Sequence, residues 1–316
     1  MLAYVLRRLL WLPVVLVVVS FVTFALGTYG PGDPIQVLMG QRNDPAVVER
    51  IRRERGLDQP FLTQYFRYVT GIVTRGDFGE SYKFVGQDVS KLLFSRVLVS
   101  VQLGGVSLAI GVLIGMVLGL IAAMNQGKRI DPMIVTGALF LSSLPIFIVQ
   151  PLLAYVLSRQ LHLLPSAGWQ PGFLGLGIFS PQIIMPVIVL SLGPIGIITR
   201  VMRASTLEVV NQDFVRTARA KGLSERYVRT HHITRNSVLP IFTLVGLSLA
   251  SLVEGGFITE TLFGIPGVGR LAVESFFARD YPVIMGITLL VATAYVLANL
   301  LVDIGYTFLD PRIRLT

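Results

Sequence analysis

An all-α, polytopic membrane protein is predicted by three observations. Hydrophobic residues make up 53% of the chain, charged residues only 14%, and the apolar residues gather into six runs suited to crossing a bilayer. A soluble core has no room for that much apolar side chain, and lipid is the solvent that takes the surplus. A hydrocarbon core of roughly 30 Å is crossed by about 20 helical residues. The 316 residues therefore hold several spans with their loops, which favours one polytopic domain over two soluble ones. The chain has no Cys, so it carries neither a disulfide framework nor a thiolate metal site.

The first run, Leu9 to Tyr29, follows the basic start Met1 to Arg8 and resembles a secretory leader. It is longer than an ordinary leader core, however, and its exit, Gly27-Thr28-Tyr29-Gly30-Pro31, lacks a small-x-small cleavage pair. Residues 1–29 are therefore expected to be a retained first transmembrane helix. Residues 30–95 are polar. Their Arg50-Ile51-Arg52-Arg53-Glu54-Arg55 cluster and helical spacing suggest a small folded extramembrane piece. Five further apolar runs follow at Val97–Met124, Pro132–Leu157, Ile183–Thr199, Val238–Val253 and Val283–Val302. They define a membrane core over 96–307, a polar loop at 203–236 and a tail at 308–316.

Charge distribution sets the expected orientation. The net charge is +9, and nucleic acid is one partner that such an excess attracts. With the N-terminus inside, the short inner segments carry fourteen basic residues: Arg7, Arg8, Lys128, Arg129, eight between Arg200 and Arg235, Arg312 and Arg314. The short outer segments carry Arg159, Arg270 and Arg279. This asymmetry places both termini in the cytoplasm and accounts for the charge without nucleic acid. The segment after the first span is too long to weigh in that comparison, and the ten basic and eight acidic residues from Pro31 to Arg96 nearly cancel.

Gly104, Gly111, Gly115 and Gly119 form a stripe of small residues on the second span, which lets another helix approach closely. Pro145 and Pro151 in the third run and Pro186 and Pro194 in the fourth interrupt backbone hydrogen bonds. In lipid, neighbouring helices or a water-filled path must satisfy the carbonyls so freed.

No catalytic centre is expected. A phosphate-binding Gly-x-x-x-x-Gly-Lys-Ser/Thr loop is missing, so ATP hydrolysis is not expected of this chain. Gly264-Ile265-Pro266-Gly267-Val268-Gly269 has the wrong spacing for a dinucleotide turn and reads as a turn at the outer membrane face. His231 and His232, being adjacent, point to different helix faces, and with His162 they read as loop residues with no metal site. Glu254, near the end of the fifth span, and Asn299 and Asp303, four apart on the last, are polar groups in or near the membrane. They line a pathway or hydrogen-bond neighbouring helices.

The loop from Arg203 to Asn236 holds the most informative pattern. Asn211 is placed to cap a helix with Asp213 in its first turn, Arg219 and Lys221 in its last, and Gly222 as its stop. Phe214, Thr217, Ala218 and Lys221 share one face, and Arg216, Arg219 and Lys221 supply charge. A helix of about ten residues is not stable alone. It either lies on anionic headgroups or fits a groove in a partner, and the residue pattern by itself leaves both open.

Asp213-Phe214-Val215-Arg216-Thr217-Ala218-Arg219-Ala220-Lys221-Gly222-Leu223 resembles the cytoplasmic loop of ABC importer permeases of the dipeptide, oligopeptide and nickel transport family. Of the general Glu-Ala-Ala-x-x-x-Gly importer motif, Ala218 and Gly222 are in place and Arg216 and Thr217 depart. Arg-Thr-Ala-Arg-Ala-Lys-Gly is the form common in the peptide branch. The same branch is resembled by Pro31-Gly32-Asp33-Pro34, Gly76-Asp77-Phe78-Gly79-Glu80-Ser81, Ser143-Leu144-Pro145-Ile146-Phe147 and Leu164-Pro165-Ser166-Ala167-Gly168-Trp169. Near the end of the chain it is resembled by Pro266 to Arg270, Arg279 to Pro282, Asn299 to Asp303 and Leu309 to Arg314. The early Tyr4 to Arg8 start and the long segment after the first helix resemble the B-type subunit.

The resemblance implies a type I ABC importer permease fold in a bacterial or archaeal cell membrane. It implies as partners a second, C-type permease, two ATP-binding subunits and an extracytoplasmic solute-binding protein. ATP and Mg would be used by those ATPases, and this chain would bind no cofactor. It also implies that Gln212 to Lys221 is the coupling helix, with Phe214, Arg216, Thr217, Ala218, Arg219, Lys221 and Gly222 as its site. Peptides are the expected substrates, and nickel complexes, opines and oligosaccharides are the alternatives within the class. A secondary transporter and a membrane scaffold are the rival readings. The charge-free middles of the spans argue against the former.

Overall fold

The computed structural model describes residues 2–30, 45–54, 56–170 and 176–309. Pro31-Gly32-Asp33-Pro34 and the Asp310 to Arg314 part of the tail lie outside the described residues. The helices are α1 (Leu2–Tyr29), α2 (Pro45–Glu54), α3 (Phe61–Arg75), α4 (Val89–Met124), α5 (Ile130–Ser143), α6 (Ile146–Ala154) and α7 (Ile184–Val210), followed by α8 (Asp213–Ala220), α9 (Leu239–Glu254), α10 (Phe257–Leu262), α11 (Val268–Ala278) and α12 (Tyr281–Leu309). Glu80 and Asp88 form an isolated bridge, and the described residues contain no strand.

Five segments among the described residues are long and apolar enough to cross a membrane: Leu10–Tyr29, Val89–Met124, Pro181–Val210, Leu239–Leu262 and Tyr281–Gly305. The remaining run, Pro132–Leu157, read in the sequence as one span kinked at Pro145 and Pro151, is more sharply broken than a kink. It is α5 and α6, bent by 90° at a short break. Pro145 has no N–H and pushes the residue before it out of helical geometry, and Leu144 accordingly sits at φ −69, ψ 126. The second span also differs, because its helix begins at Val89, inside the segment expected to be extramembrane.

Contacts divide the chain into two compact units, one holding the residues up to Val101 with Val253–Leu300, the other Gln102–Leu252 with 301–309. In the first unit, α3 is amphipathic and lies against the C-terminal half of α1. Phe21, Phe24, Phe61 and Tyr65 make edge-on and tilted ring contacts at 5.2 to 5.7 Å. The Tyr65 hydroxyl shares a hydrogen bond with Ser20 and donates to the Val17 carbonyl. The polar segment therefore leans on the first span. A second core joins Val89, Leu92 and Leu93 of α4 to Val268 and Leu271 of α11 and Val283 and Ile287 of α12. Asp280, fully buried, ties the Ser81-Tyr82-Lys83 turn to the start of α12. It accepts the Ser81 hydroxyl and the backbone N–H groups of Tyr82 (3.0 Å) and Lys83 (3.1 Å).

In the second unit three residues of the glycine stripe meet α7 in register, while Gly104 faces Leu252 of α9. A β-carbon on Gly111 would fall 2.6 Å from Pro194, one on Gly115 2.8 Å from Ile198, and one on Gly119 2.6 Å from Met202. Each step is four residues on both helices, so backbone packs against backbone along one ridge. Gly196, elsewhere on α7, gives α5 the same closeness: its β-carbon would lie 2.3 Å from that of Ser142. Trp169 covers Gly177 at 2.0 Å on the same measure, and the Gly177 N–H donates to Gln102 at 3.0 Å.

Candidate functional site

The loop between α7 and α9 folds into a small helical platform. Asn211, expected to cap α8, instead ends α7: its N–H donates to the Glu208 carbonyl and its amide to Leu207 at 2.9 Å. Gln212 is the residue at the α8 N-terminus and makes no side-chain cap. Asp213 in the first turn and Arg219 in the last match the helix dipole. The C-terminal stop is as the sequence implies, with Gly222 at φ +76. There the Gly222 N–H donates to the Arg219 carbonyl at 2.9 Å and the Leu223 N–H to Ala218 at 3.4 Å. These two bonds make a Schellman motif, which requires a left-handed residue where glycine stands.

What holds this short helix is its own protein. Val215 and Ala218 are buried against Val228 and Ile233, with Met124, Val209 and Val210 packed around them. Ala218, read as sharing one face with Phe214, is only 5% exposed and belongs to the inward face. The i, i+3 pair Val215 and Ala218 defines the inner stripe, leaving Phe214 (44% exposed), Arg216, Thr217 and Lys221 outside. Arg219 is also exposed but committed within the chain. Its Nε donates to Glu225 at 2.9 Å, tying the end of α8 to the next turn, where Ser224 accepts the Tyr227 N–H. Thr217 donates to the Asp213 carbonyl at 2.9 Å.

Two residues that the sequence reading did not single out extend the exposed face, Leu223 and Tyr227, the latter stacked on His231 at 4.2 Å. Their exposure follows from the turn after Gly222, which helical periodicity through 220 does not project. The platform thus presents two aromatics, Phe214 and Tyr227, and several cations on an immobilised base. Such a surface is suited to seating in a groove, with Phe214 as the anchor and charge guiding orientation.

The polar membrane residues are placed as follows. Glu254 is the last residue of α9 and half-buried, and Asn299 and Asp303 on α12 are half-buried as well. The carboxylates the structure buries most completely are others: Glu260 and Asp280, both 0% exposed, and Asp131. Glu260 accepts the Ser100 hydroxyl at 2.7 Å, the Gly256 N–H at 3.2 Å and the Arg270 N–H at 3.0 Å, with the Gly269 N–H beside it. Ser100 in turn accepts the Val268 N–H at 2.8 Å. The first three N–H groups of α11 are thereby satisfied by the side chains of Ser100 and Glu260. This explains the glycines around 255–269. A β-carbon on Gly255 would sit 2.5 Å, and one on Gly267 2.3 Å, from a Glu260 oxygen.

Outside the spans, Glu274 on α11 receives Arg270 at 2.7 Å and Lys83 at 3.3 Å. Burial alone raises its carboxyl pKa, but these two partners outweigh it and hold it below the ordinary value. Burial pushes the Tyr68 hydroxyl well up.

Residues 115–315 match the family described as binding-protein-dependent transport system inner membrane component. Residues 1–86 match the N-terminal region of such membrane components. The chain is 37% identical to the probable peptide ABC transporter permease protein y4tP of Sinorhizobium fredii, over 98% of this chain and 99% of that protein. It is 35% identical to the oligopeptide transport system permease protein OppB of Haemophilus influenzae, over 99% and 100% of the two chains. To the dipeptide transport system permease protein DppB of Bacillus subtilis it is 36% identical, over 99% and 98%. Among solved structures, an inward-facing MetNI methionine ABC transporter chain superposes with a TM-score of 0.55 at 15% identity, over 70% of this chain and 97% of that one. At that identity the likeness is one of fold.

Proposed function

The chain belongs to the family of binding-protein-dependent transport system inner membrane components, the membrane permeases of ABC importers, and on that premise we propose that it forms half of a translocation pathway for dipeptides or oligopeptides. The substrate class rests on the relatives named for peptide transport, which align over nearly their whole length with this chain. A C-type permease completes the pathway, two ATP-binding subunits drive it with ATP and Mg, and a solute-binding protein delivers the peptide. Both termini face the cytoplasm in this reading, which the basic residues of the short loops support.

The observation that carries the mechanism is the α8 platform. Its inner face is fixed by Val215, Ala218, Val228 and Ile233, and its outer face presents Phe214, Arg216 and Lys221. An ATPase closing on a second ATPase displaces whatever it grips, and here it grips a helix that follows α7 almost directly. Because α7 packs on α4 through Gly111, Gly115 and Gly119, the displacement passes to two spans together and shifts the balance between inward and outward openings. The chain binds no nucleotide in this scheme.

Reconstitution tests it. Proteoliposomes holding both permeases and both ATPases should accumulate labelled tripeptide only with ATP and the binding protein present. Uptake without the ATPases contradicts the reading.

A further inference from the structure

The most buried ion pair recorded in the second unit lies away from the α8 surface. Arg203 on α7 donates through Nε to Asp131 Oδ1 at 2.5 Å and through Nη2 to Oδ2 at 2.7 Å. The Asp131 side chain is 8% exposed and that of Arg203 29%. Asp131 stands in the first turn of α5, just after Lys128 and Arg129, yet both of its oxygens go to a residue on another helix. The neighbouring Lys128 donates to Asn125 instead.

A bidentate Arg–carboxylate pair fixes direction as well as distance, since the planar guanidinium allows one mutual orientation. Buried pairs add little net stability, because desolvation offsets their attraction, and their best-attested use is to specify register. The register set here is that of α5 on α7. Roughly two turns from Arg203, Gly196 brings the same two helices together at Ser142 and the Ala138 carbonyl. Two separated attachments stop α5 from sliding along α7 or pivoting about it. Arg203 is also close in sequence to Val209 and Val210, which pack against Val215 and Ala218 of the α8 platform.

We propose that the Arg203–Asp131 pair is a positioning contact that makes α5 move with α7, and so with α8, when an ATP-driven partner displaces α8. This rests on the function proposed above. Without the pair, α7 follows the partner while α5, which leads into the 90° break before α6, lags behind it.

The assembled importer is the material for the test, with Asp131→Asn, Arg203→Lys and the exchanged double variant Asp131→Arg/Arg203→Asp. Complexes are quantified by copurification, so that uptake of labelled trialanine is expressed per complex and per ATP hydrolysed. Asp131→Asn should keep ATP hydrolysis but lower trialanine uptake per ATP about tenfold, within the usual range of coupling between sites. Arg203→Lys should lower it less, and the exchange should restore most of it. A second measurement is independent of substrate. Spin labels at exposed Met133 of α5 and exposed Ala220 of α8 should keep one separation with and without ATP in the parent chain, and should change it in Asp131→Asn. If uptake falls only in proportion to assembled complex, the pair is a folding contact and the proposal is overturned. An unchanged label separation in Asp131→Asn overturns it equally. A parent complex that hydrolyses ATP but takes up no trialanine contradicts the substrate reading instead, and the spin-label comparison then decides this contact.

Discussion

Gly119 and Met202 approach so closely that a β-carbon on the glycine would fall 2.6 Å from that of the methionine, with the Thr199 carbonyl oxygen equally near. The obstructing atoms are a β-carbon and a backbone oxygen, neither of which can swing away. Gly119→Val should therefore push α4 from α7 and destabilise the chain by about 1–3 kcal/mol, the usual range for overpacking. Gly105 on the same helix has open space around it, and Gly105→Ala should be neutral or stabilising by up to about 1 kcal/mol. Thermal unfolding in detergent distinguishes the pair. Equal losses at both sites would show that helix propensity, not packing, governs this span.

Glu260 and Gly267 should be energetically coupled. Gly267 has φ −101, so its need for glycine comes from the Glu260 carboxylate and the Ser100 hydroxyl, whose oxygens stand 2.3 and 2.5 Å from the β-carbon position. Gly267→Ala alone should cost about 1–3 kcal/mol, and Glu260→Ala should cost as much or more by leaving buried N–H groups without an acceptor. Together they should cost less than the sum, because removing the carboxylate takes away the nearest obstacle and releases the Ser100 hydroxyl that donates to it. Additive losses in a double-mutant cycle would contradict this account of the glycines.

Gly222 is the opposite case. A β-carbon there meets nothing within 4 Å, so the requirement is the left-handed backbone alone. Gly222→Val should strain or unwind the end of α8 at a cost of about 1–3 kcal/mol, and Gly222→Asn should be milder. In the assembled importer, Val is expected to lower uptake strongly while ATP hydrolysis persists. Normal uptake by Gly222→Val would remove the helix stop from the mechanism.

The Glu274 carboxyl is held below its ordinary value by Arg270 and Lys83 against the push of burial. A depressed folded pKa means that its contribution is complete above the unfolded value and is lost as the pH falls through the folded one. The stability gap between parent and Glu274→Gln should therefore be constant at neutral pH and close on acidification below the ordinary glutamate range. With these side chains partly exposed, solvent screening keeps the gap at or under about 1 kcal/mol. A gap that widens on acidification would reverse the sign argued here.

The spans were legible because apolar runs in lipid need no partner to be recognised, and the glycine stripe because small residues four apart have one packing use. The α8 stop was legible for a similar reason, since Gly222 carries its own backbone requirement. Ala218 was assigned to the wrong face because α8 rests on Val228 and Ile233, which come from a later turn whose direction local periodicity does not encode. Asn211 was read forward as a cap when its hydrogen bonds run back to α7. Glu260 was passed over in favour of Glu254 because its partners are a serine 160 residues away and backbone N–H groups. Backbone donors leave no side-chain pattern in a sequence. The break at Pro145 was anticipated as a kink, but its size depends on α5 and α6 each finding its own packing.

The central claim, that α8 is where an ATPase grips this chain, is tested most directly by cross-linking. The chain has no cysteine, so Phe214→Cys and Val215→Cys each introduce its single thiol, one on the exposed face and one on the buried face of the same turn. In assembled importer labelled with a maleimide that carries a photoreactive group, which needs a thiol on this chain alone, Phe214→Cys should be joined on illumination to the ATP-binding subunit and Val215→Cys should not. Failure of Phe214→Cys to cross-link in complexes that still transport, or equal cross-linking at both positions, would contradict it.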